Sequence, residues 1–379
     1  MNFQVQISKE RLDKVLGVLK HALEKRVTLP ILQHIVMDIS DREMAIKATD
    51  MELAFEASLP IESSGSKQVA VPGKKLVETV KVYPEGILTL DWPDDGNRMW
   101  LRAKGFNSEH NVQNSEGFPE LPKPDASSKV VELPTALFKK ALVLGGLAIS
   151  KDATKPALSG VLLHFTKDFV RVVSTDGFRL AVAELPLATG LESEARIIVP
   201  KRSMDLVAGA FEDDSPIELS WDDRSLFLSQ QNLKFSTRRV TANYPGYEKV
   251  LPSSPGALPL KVVVDKEEFS KRLRFVGLKK DDYNKTVRLI FDFPTLKVQI
   301  QHPDEGINQA SLNYSGPDQD DKPLELAFNI DYLTELLDRI HGEEVEYHYK
   351  DDVASGVFTS PSLKDLSFKY ILMPVKFGN

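Results

Sequence analysis

FVRVVSTDGFRLAVAELP, at residues 169–186, is a second writing of EMAIKATDMELAFEASLP, at residues 43–60. Both stretches alternate apolar and polar residues, break at a Thr–Asp pair, and run on to a terminal Leu–Pro. Period-two alternation marks a strand with one buried face, and an Asp in the interruption favours a tight turn. Each stretch therefore predicts strand, turn and strand, and the two lie 126 residues apart. The segments before them keep that offset. KERLDKVL around Leu12 matches TALFKKAL around Phe138, and IVMDI matches VLLHF. A third, looser copy has KEEFSKRL around Phe269, then VRLIFDF and LKVQI.

Each copy is itself doubled. VAVPGKKLVETV, IIVPKRSMDLVAGAF and LAFNIDYLTELLDRI each read as a short apolar strand, a turn, and a helix with apolar residues three and four apart. ILTLDW and IELSW follow the first two as strands. FPELPKPDASS (residues 118–128) and LPSSPGALP (residues 251–259) have the Pro- and Ser-rich composition of linkers. The expectation is an α+β chain of three similar domains, 1–122, 129–251 and 259–379. Repetition at a long fixed period points to a stacked or circular architecture. Three unrelated α+β domains are the weaker alternative, because both the order of elements and individual residues are shared.

The chain has 379 residues, no cysteine and a formal charge of −7. Lack of cysteine excludes disulfides, a thiolate nucleophile and Cys-based metal sites. The start, MNFQVQISKERLDKVL, has no basic-then-apolar signal segment, and no apolar run approaches a membrane span, so the expected location is the cytoplasm. An acidic total argues mildly against nucleic acid, but the charge is unevenly placed. The six expected helical windows sum to +9, which leaves −16 for the remainder. The window 329–341 alone is negative. Helices sharing one face would make it attract phosphates, and the absence of a zinc finger, recognition helix or aromatic-studded basic strand points to sequence-independent backbone contact.

VTLPIL (27–32), STDGFRLAV (174–182), YPGYEKVLP (244–252) and YILMPVKF (370–377), in that order and spacing, resemble the β sliding clamps of bacterial DNA polymerase III. The resemblance covers the whole chain. It implies a head-to-tail ring of two subunits, with helices lining the inside and antiparallel sheets outside, that slides on duplex DNA without sequence preference. Twelve helices about 10–12 Å wide give a circle roughly 120 Å round and a bore of about 25–30 Å, which favours a homodimer over a closed monomer. It also implies no cofactor, no metal and no catalysis. The implied partners are duplex DNA, the polymerase III catalytic subunit, a clamp loader, and other polymerases and repair proteins carrying short linear motifs. The implied location is cytoplasmic, at the nucleoid.

The resemblance places a peptide pocket between the second and third domains. Its wall is carried over to Leu158, Thr175, Gly177, Phe178, Arg179 and Leu180; to Pro245, Lys249 and Val250; and to Tyr283, Val353, Ser355, Ile371, Leu372, Met373, Pro374, Val375 and Lys376. DNA contacts are carried over to Arg26, Lys74, Lys75, Lys151, Lys155, Lys201 and Arg202, and the dimer seam to Phe106 and Leu278. Three departures bear on the pocket. Phe178 stands where the family often has histidine, Glu248 where a basic residue is frequent, and Gly378 and Asn379 extend the end.

The rival readings are a repeat-built enzyme of DNA or nucleotide metabolism and an interaction scaffold without DNA. Asp50, Glu52 and Asp176 could serve an enzyme as metal-binding carboxylates. Their place between strands suits turns better, and no HxH, HExxH, GxSxG or phosphate-binding loop is present. A scaffold would keep the pocket but has no use for basic helices.

Overall fold

The computed structural model describes residues 3–23, 29–63, 65–93, 97–125, 128–252, 257–281, 284–317, 323–351 and 353–375. Arg26, Tyr283, Lys376, Gly378 and Asn379 lie outside the described residues. Within them, the succession strand, helix and three strands occurs six times. The helices are α1 (Lys9–Leu19), α2 (Gly73–Val82), α3 (Thr135–Gly145), α4 (Lys201–Ala210), α5 (Lys266–Val276) and α6 (Ile330–Arg339).

One apolar stripe explains why each helix stays on its sheet. Leu12, Leu16 and Leu19 in α1, and Phe269, Leu273 and Val276 in α5, are buried at spacings of four and three residues. Most cations lie off that stripe: Arg11 and Lys14 on α1, and Lys271 and Arg274 on α5, are exposed, whereas Lys9 is buried and paired with Asp13. Ser8 and Asp265 cap the two helices equivalently, accepting from the backbone N–H of Arg11 and Glu268.

The strands form three sheets, with every described ladder antiparallel. The first has five strands, in the order Glu62–Ser63, Phe3–Ser8, Ile87–Trp92, Arg98–Ala103 and Phe106–Asn111. The second has eight strands. It reaches across the first linker because Leu53–Pro60 pairs with Leu233–Arg238. The third has twelve and reaches across the second, because Arg179–Pro186 pairs with Ser367–Leu372.

These ladders decide how the chain groups by contact. One compact unit is Met1–Ala136 with Arg202–Arg239, and the other is Leu137–Lys201 with Val240–Asn379. The middle third is therefore shared, half to each unit. We keep 1–122, 129–251 and 259–379 as proposed domains in the sense of repetition, since the sheet hydrogen bonds run across those limits.

Candidate functional site

Inside the second unit, the ladder between Arg179–Pro186 and Ser367–Leu372 sets Arg179 opposite Leu372, Leu180 opposite Ile371 and Val182 opposite Lys369. Strand alternation then sorts the side chains. Leu180, Val182 and Ile371 join Leu162, Val173, Ile198, Val357 and Tyr247 in one buried apolar cluster, with Ala157, Tyr244, Leu251 and Leu258 packed against it. Around it stand exposed apolar side chains: Phe178 at 64% exposure, Val250 at 54%, Met373 at 51% and Val375 at 38%. Val353, still more open, lies in the turn before Gly356–Thr359, which pairs with Ser367–Leu372. Leu158 and Ser355 are half-buried, while Pro245 and Lys249 are exposed. An apolar floor with a few polar groups at its margin is the usual make-up of a peptide site.

The turn at Thr175–Arg179 is built by its own side chains. Thr175 Oγ1 donates to the Arg179 carbonyl at 2.7 Å, and Asp176 Oδ1 accepts from the N–H of Phe178 at 3.0 Å and of Arg179 at 3.1 Å. Gly177 sits at φ 97°, a region open to glycine. Phe178 is thereby held out to solvent, and its carbonyl accepts from Met373 N–H at 3.1 Å. Two residues on, Val375 N–H donates to the Ala327 carbonyl at 2.7 Å, so both ends of the Met373–Val375 segment are fixed.

Arg179 faces the other side of the sheet. Its Nε donates to Asp176 Oδ2 at 3.0 Å, and Nη1 to Glu335 Oε2 at 2.6 Å and to Tyr370 Oη at 3.0 Å. Its guanidinium lies 3.9 Å from the centre of the Tyr332 ring. Burial alone would lower its pKa, but Tyr370 and Glu335 outweigh burial and leave it raised. Burial also pushes the Tyr370 hydroxyl up. Of the residues carried over to the pocket, Arg179 thus acts as a buried brace, while Leu180 beside it forms the floor.

Asp50 and Asp176, the candidate catalytic carboxylates, are turn residues. Asp50 Oδ1 accepts from the N–H of Glu52 and Leu53, as Asp176 does in its own turn, and its Oδ2 takes Arg202 Nη1 at 2.6 Å. Arg202 Nη2 also donates to the His21 carbonyl at 2.6 Å. That fork is committed within the first unit, whereas the resemblance had placed Arg202 against DNA. Lys74 and Lys75 are exposed on α2, and Lys201 is exposed at the start of α4. Lys151 and Lys155 project from the loop before Pro156–Leu158, with Lys155 3.8 Å from Asp152. Phe106, 51% exposed, opens the edge strand Phe106–Asn111, and Leu278, 75% exposed, follows α5.

Sequence reading missed much of the floor: Leu162, Val173, Val182, Ile198, Tyr247 and Val357. Val182 was accessible through alternation from Leu180. Tyr247 comes from the turn Tyr247–Val250, and the others from strands whose register no sequence spacing fixes.

Residues 1–122, 132–246 and 249–376 match, in that order, the N-terminal, central and C-terminal domains of the DNA polymerase III beta subunit. The chain belongs to this family. The family is that of the sliding clamps, processivity subunits without a catalytic role. The beta sliding clamp of Escherichia coli K12 is 25% identical over 381 residues, which cover 99% of this chain and all of that one. That of Pseudomonas putida KT2440 is 23% identical over 380 residues, with the same coverage. A crystal structure of the DNA polymerase III beta subunit from Thermotoga maritima superposes with a TM-score of 0.88 at 25% identity, over 99% of this chain and 100% of that one. A Pseudomonas aeruginosa sliding clamp bound to griselimycin gives 0.90 at 20% identity, with full coverage of both chains.

Proposed function

We propose that two copies of this chain close head to tail into a ring around duplex DNA, slide on it without sequence preference, and tether polymerase and other partners through the cleft at Leu180 and Ile371. The observation that carries this reading is the repetition of one joint. In both internal ladders the strand that ends one half-unit, Leu53–Pro60 or Arg179–Pro186, pairs with the strand that ends another, Leu233–Arg238 or Ser367–Leu372. Two equivalent strands remain, Phe106–Asn111 and Gly306–Ser315. The first is the outer strand of its sheet, and the second meets Leu260–Asp265 only at Tyr314 and Ser315. A second copy supplies the missing partner for each, with Phe106 against the exposed Phe275, Leu278 and Ile307.

The exposed Lys74, Lys75, Lys151, Lys155 and Lys201 are the proposed phosphate contacts. Contacts to the backbone alone make binding salt-sensitive and indifferent to sequence. Partners of the implied kind, namely the polymerase III catalytic subunit, a clamp loader and repair proteins, would insert an extended peptide over the apolar floor. No helix among the described residues is long and apolar enough to cross a membrane, and we place the protein in the cytoplasm at the nucleoid.

The deciding experiment is topological. Native mass should be twice 42.4 kDa. Protein loaded on nicked circular DNA should stay bound and be released when the circle is linearised. Retention on linear DNA with free ends, or a stable monomer, would sink the ring.

A further inference from the structure

Across four neighbouring strands the register brings Arg196, His164, Arg171 and Glu184 into one row. His164 stands opposite Arg196 on one side and Arg171 on the other, and Arg171 stands opposite Glu184. The turn Tyr247–Val250, next to Pro245 in the cleft wall, is fastened to this row. Tyr247 is 2% exposed, and its Oη lies 2.7 Å from His164 Nδ1 and accepts from Arg171 Nη1 at 3.3 Å. Beside it, Glu248 Oε1 takes Arg196 Nη2 at 2.5 Å. The backbone bonds within the turn, such as Tyr247 N–H to the Pro245 carbonyl and Leu251 N–H to the Glu248 carbonyl, are local and do not tie it to the sheet.

The donors fix the sense of the chain. Arginine can only donate, so the Tyr247 oxygen accepts from Arg171; the Glu194 carboxylate beside Nε2 can only accept, which puts the imidazole proton on Nε2 and leaves Nδ1 to accept from the Tyr247 hydroxyl. Nε2 lies 3.0 Å from Glu194 Oε1 but off the line of a strong hydrogen bond. Every charged group facing His164 is part of this set: Arg171, Arg196, Glu194 and Glu248, with Glu184 bound to Arg171 Nε at 2.5 Å. Burial, then Arg196, holds the His164 pKa below its ordinary value, so the ring is neutral at neutral pH.

We propose that His164 is a positioning residue for partner binding: through Tyr247 it fixes the cleft wall that carries Pro245, Lys249 and Val250. The proposal rests on the cleft reading above. Doubly protonated His164 could no longer accept the Tyr247 proton, so the wall loosens when the ring is charged.

The test is fluorescence anisotropy with a fluorescein-labelled peptide from the clamp-binding segment of a DNA polymerase III catalytic subunit. Tyr247→Phe, which keeps the ring and loses only the hydroxyl, and His164→Leu should each weaken binding about three- to tenfold, the worth of one net hydrogen bond. His164→Asn, whose amide oxygen takes roughly the place of Nδ1, should restore most of it. Amide exchange of residues 247–251 should quicken in the first two variants, while that of 169–175 stays unchanged. Wild-type affinity should fall as pH drops below about 6.5, and the Asn variant should be flat over that range. Unchanged affinity in Tyr247→Phe, or equal loss in the Asn and Leu variants, overturns the latch. Binding that survives deletion from Met373 onward overturns the cleft itself, and the latch with it.

Discussion

Leu53–Pro60 lies against Leu233–Arg238 much as Arg179–Pro186 lies against Ser367–Leu372, yet the two seams carry different chemistry on the same face. Where the second seam sets Leu180 opposite Ile371, the first sets Ala54 opposite Ser236. Where the second has Val182 opposite Lys369, the first has Glu56 opposite Lys234, joined at 3.3 Å. On the reverse face the contrast inverts. The first seam stacks Phe55 on Phe235 with ring centres 4.7 Å apart, while the second buries Arg179 and Tyr370 beside Asp176, with the half-exposed Glu335 at its margin. The ladder places the strands, and the alternation of side chains decides which face can accept an apolar peptide. A duplicated joint can thus keep its strength while only one copy carries the face proposed as a binding site. On the first seam's corresponding face, Leu121 and Pro122 of the linker and Val130 line a cavity of about 380 Å³ together with Glu56 and Lys234.

The largest effects should come from the two buried faces. Phe235→Ala should remove about 3–5 kcal/mol of stability in urea unfolding. Only the charged seam admits a partial rescue. Adding Glu335→Gln to Arg179→Ala should recover part of the stability lost when Glu335 is left without its cation, and strict additivity would break that account.

Next in size is peptide affinity. Met373→Ala should weaken the polymerase peptide by about 1–2 kcal/mol in anisotropy titrations while leaving the urea midpoint in place. Ala54→Leu at the corresponding place in the first seam should bind no peptide, and binding there would dissolve the distinction between the seams.

Smaller again is the effect of pH. Burial lowers the pKa of both His164 and His110, aided by Arg196 for the first and Lys75 for the second. The unfolded chain takes up protons near pH 6.5 and the folded chain only below that. The stability they contribute is therefore full above about pH 6.5 and is lost as pH falls through the folded values, which a urea series from pH 7.5 to about 5.5 would register. The smallest change should be Glu56→Val, which removes the partly exposed pair with Lys234 and should shift stability by under about 0.5 kcal/mol.

The repeated half-unit was legible because alternation and turn chemistry are local: the Thr–Asp turns at Thr49 and Thr175 close by the same hydrogen bonds. Both also hold the third residue at positive φ, Met51 at 73° and Gly177 at 97°. The merging of sheets across the linkers was not legible, because it depends on register between strands about 180 residues apart. Arg179 and Arg202 sat in the right motifs, but their partners, Glu335 and Asp50, come from distant segments that no motif announces. The helix charge was also only half a picture. Arg274 of α5 meets Asp338 of α6 at 2.9 Å, so acids of the negative helix temper the basic surplus beside them.

In the proposed ring, the open edges of Phe106–Asn111 and Gly306–Ser315 have a consequence for how the assembly would come apart. The two internal ladders re-form at an effective concentration set by the chain itself, on the order of millimolar for short flexible connections. The proposed third joint, between copies, would re-form only at the concentration of the protein in solution. Dilution, or an agent that grips one copy, therefore parts a chain from its neighbour before it loosens either internal ladder. The two observed joints would thus be lasting and the proposed third reversible, and connectivity alone would make the difference.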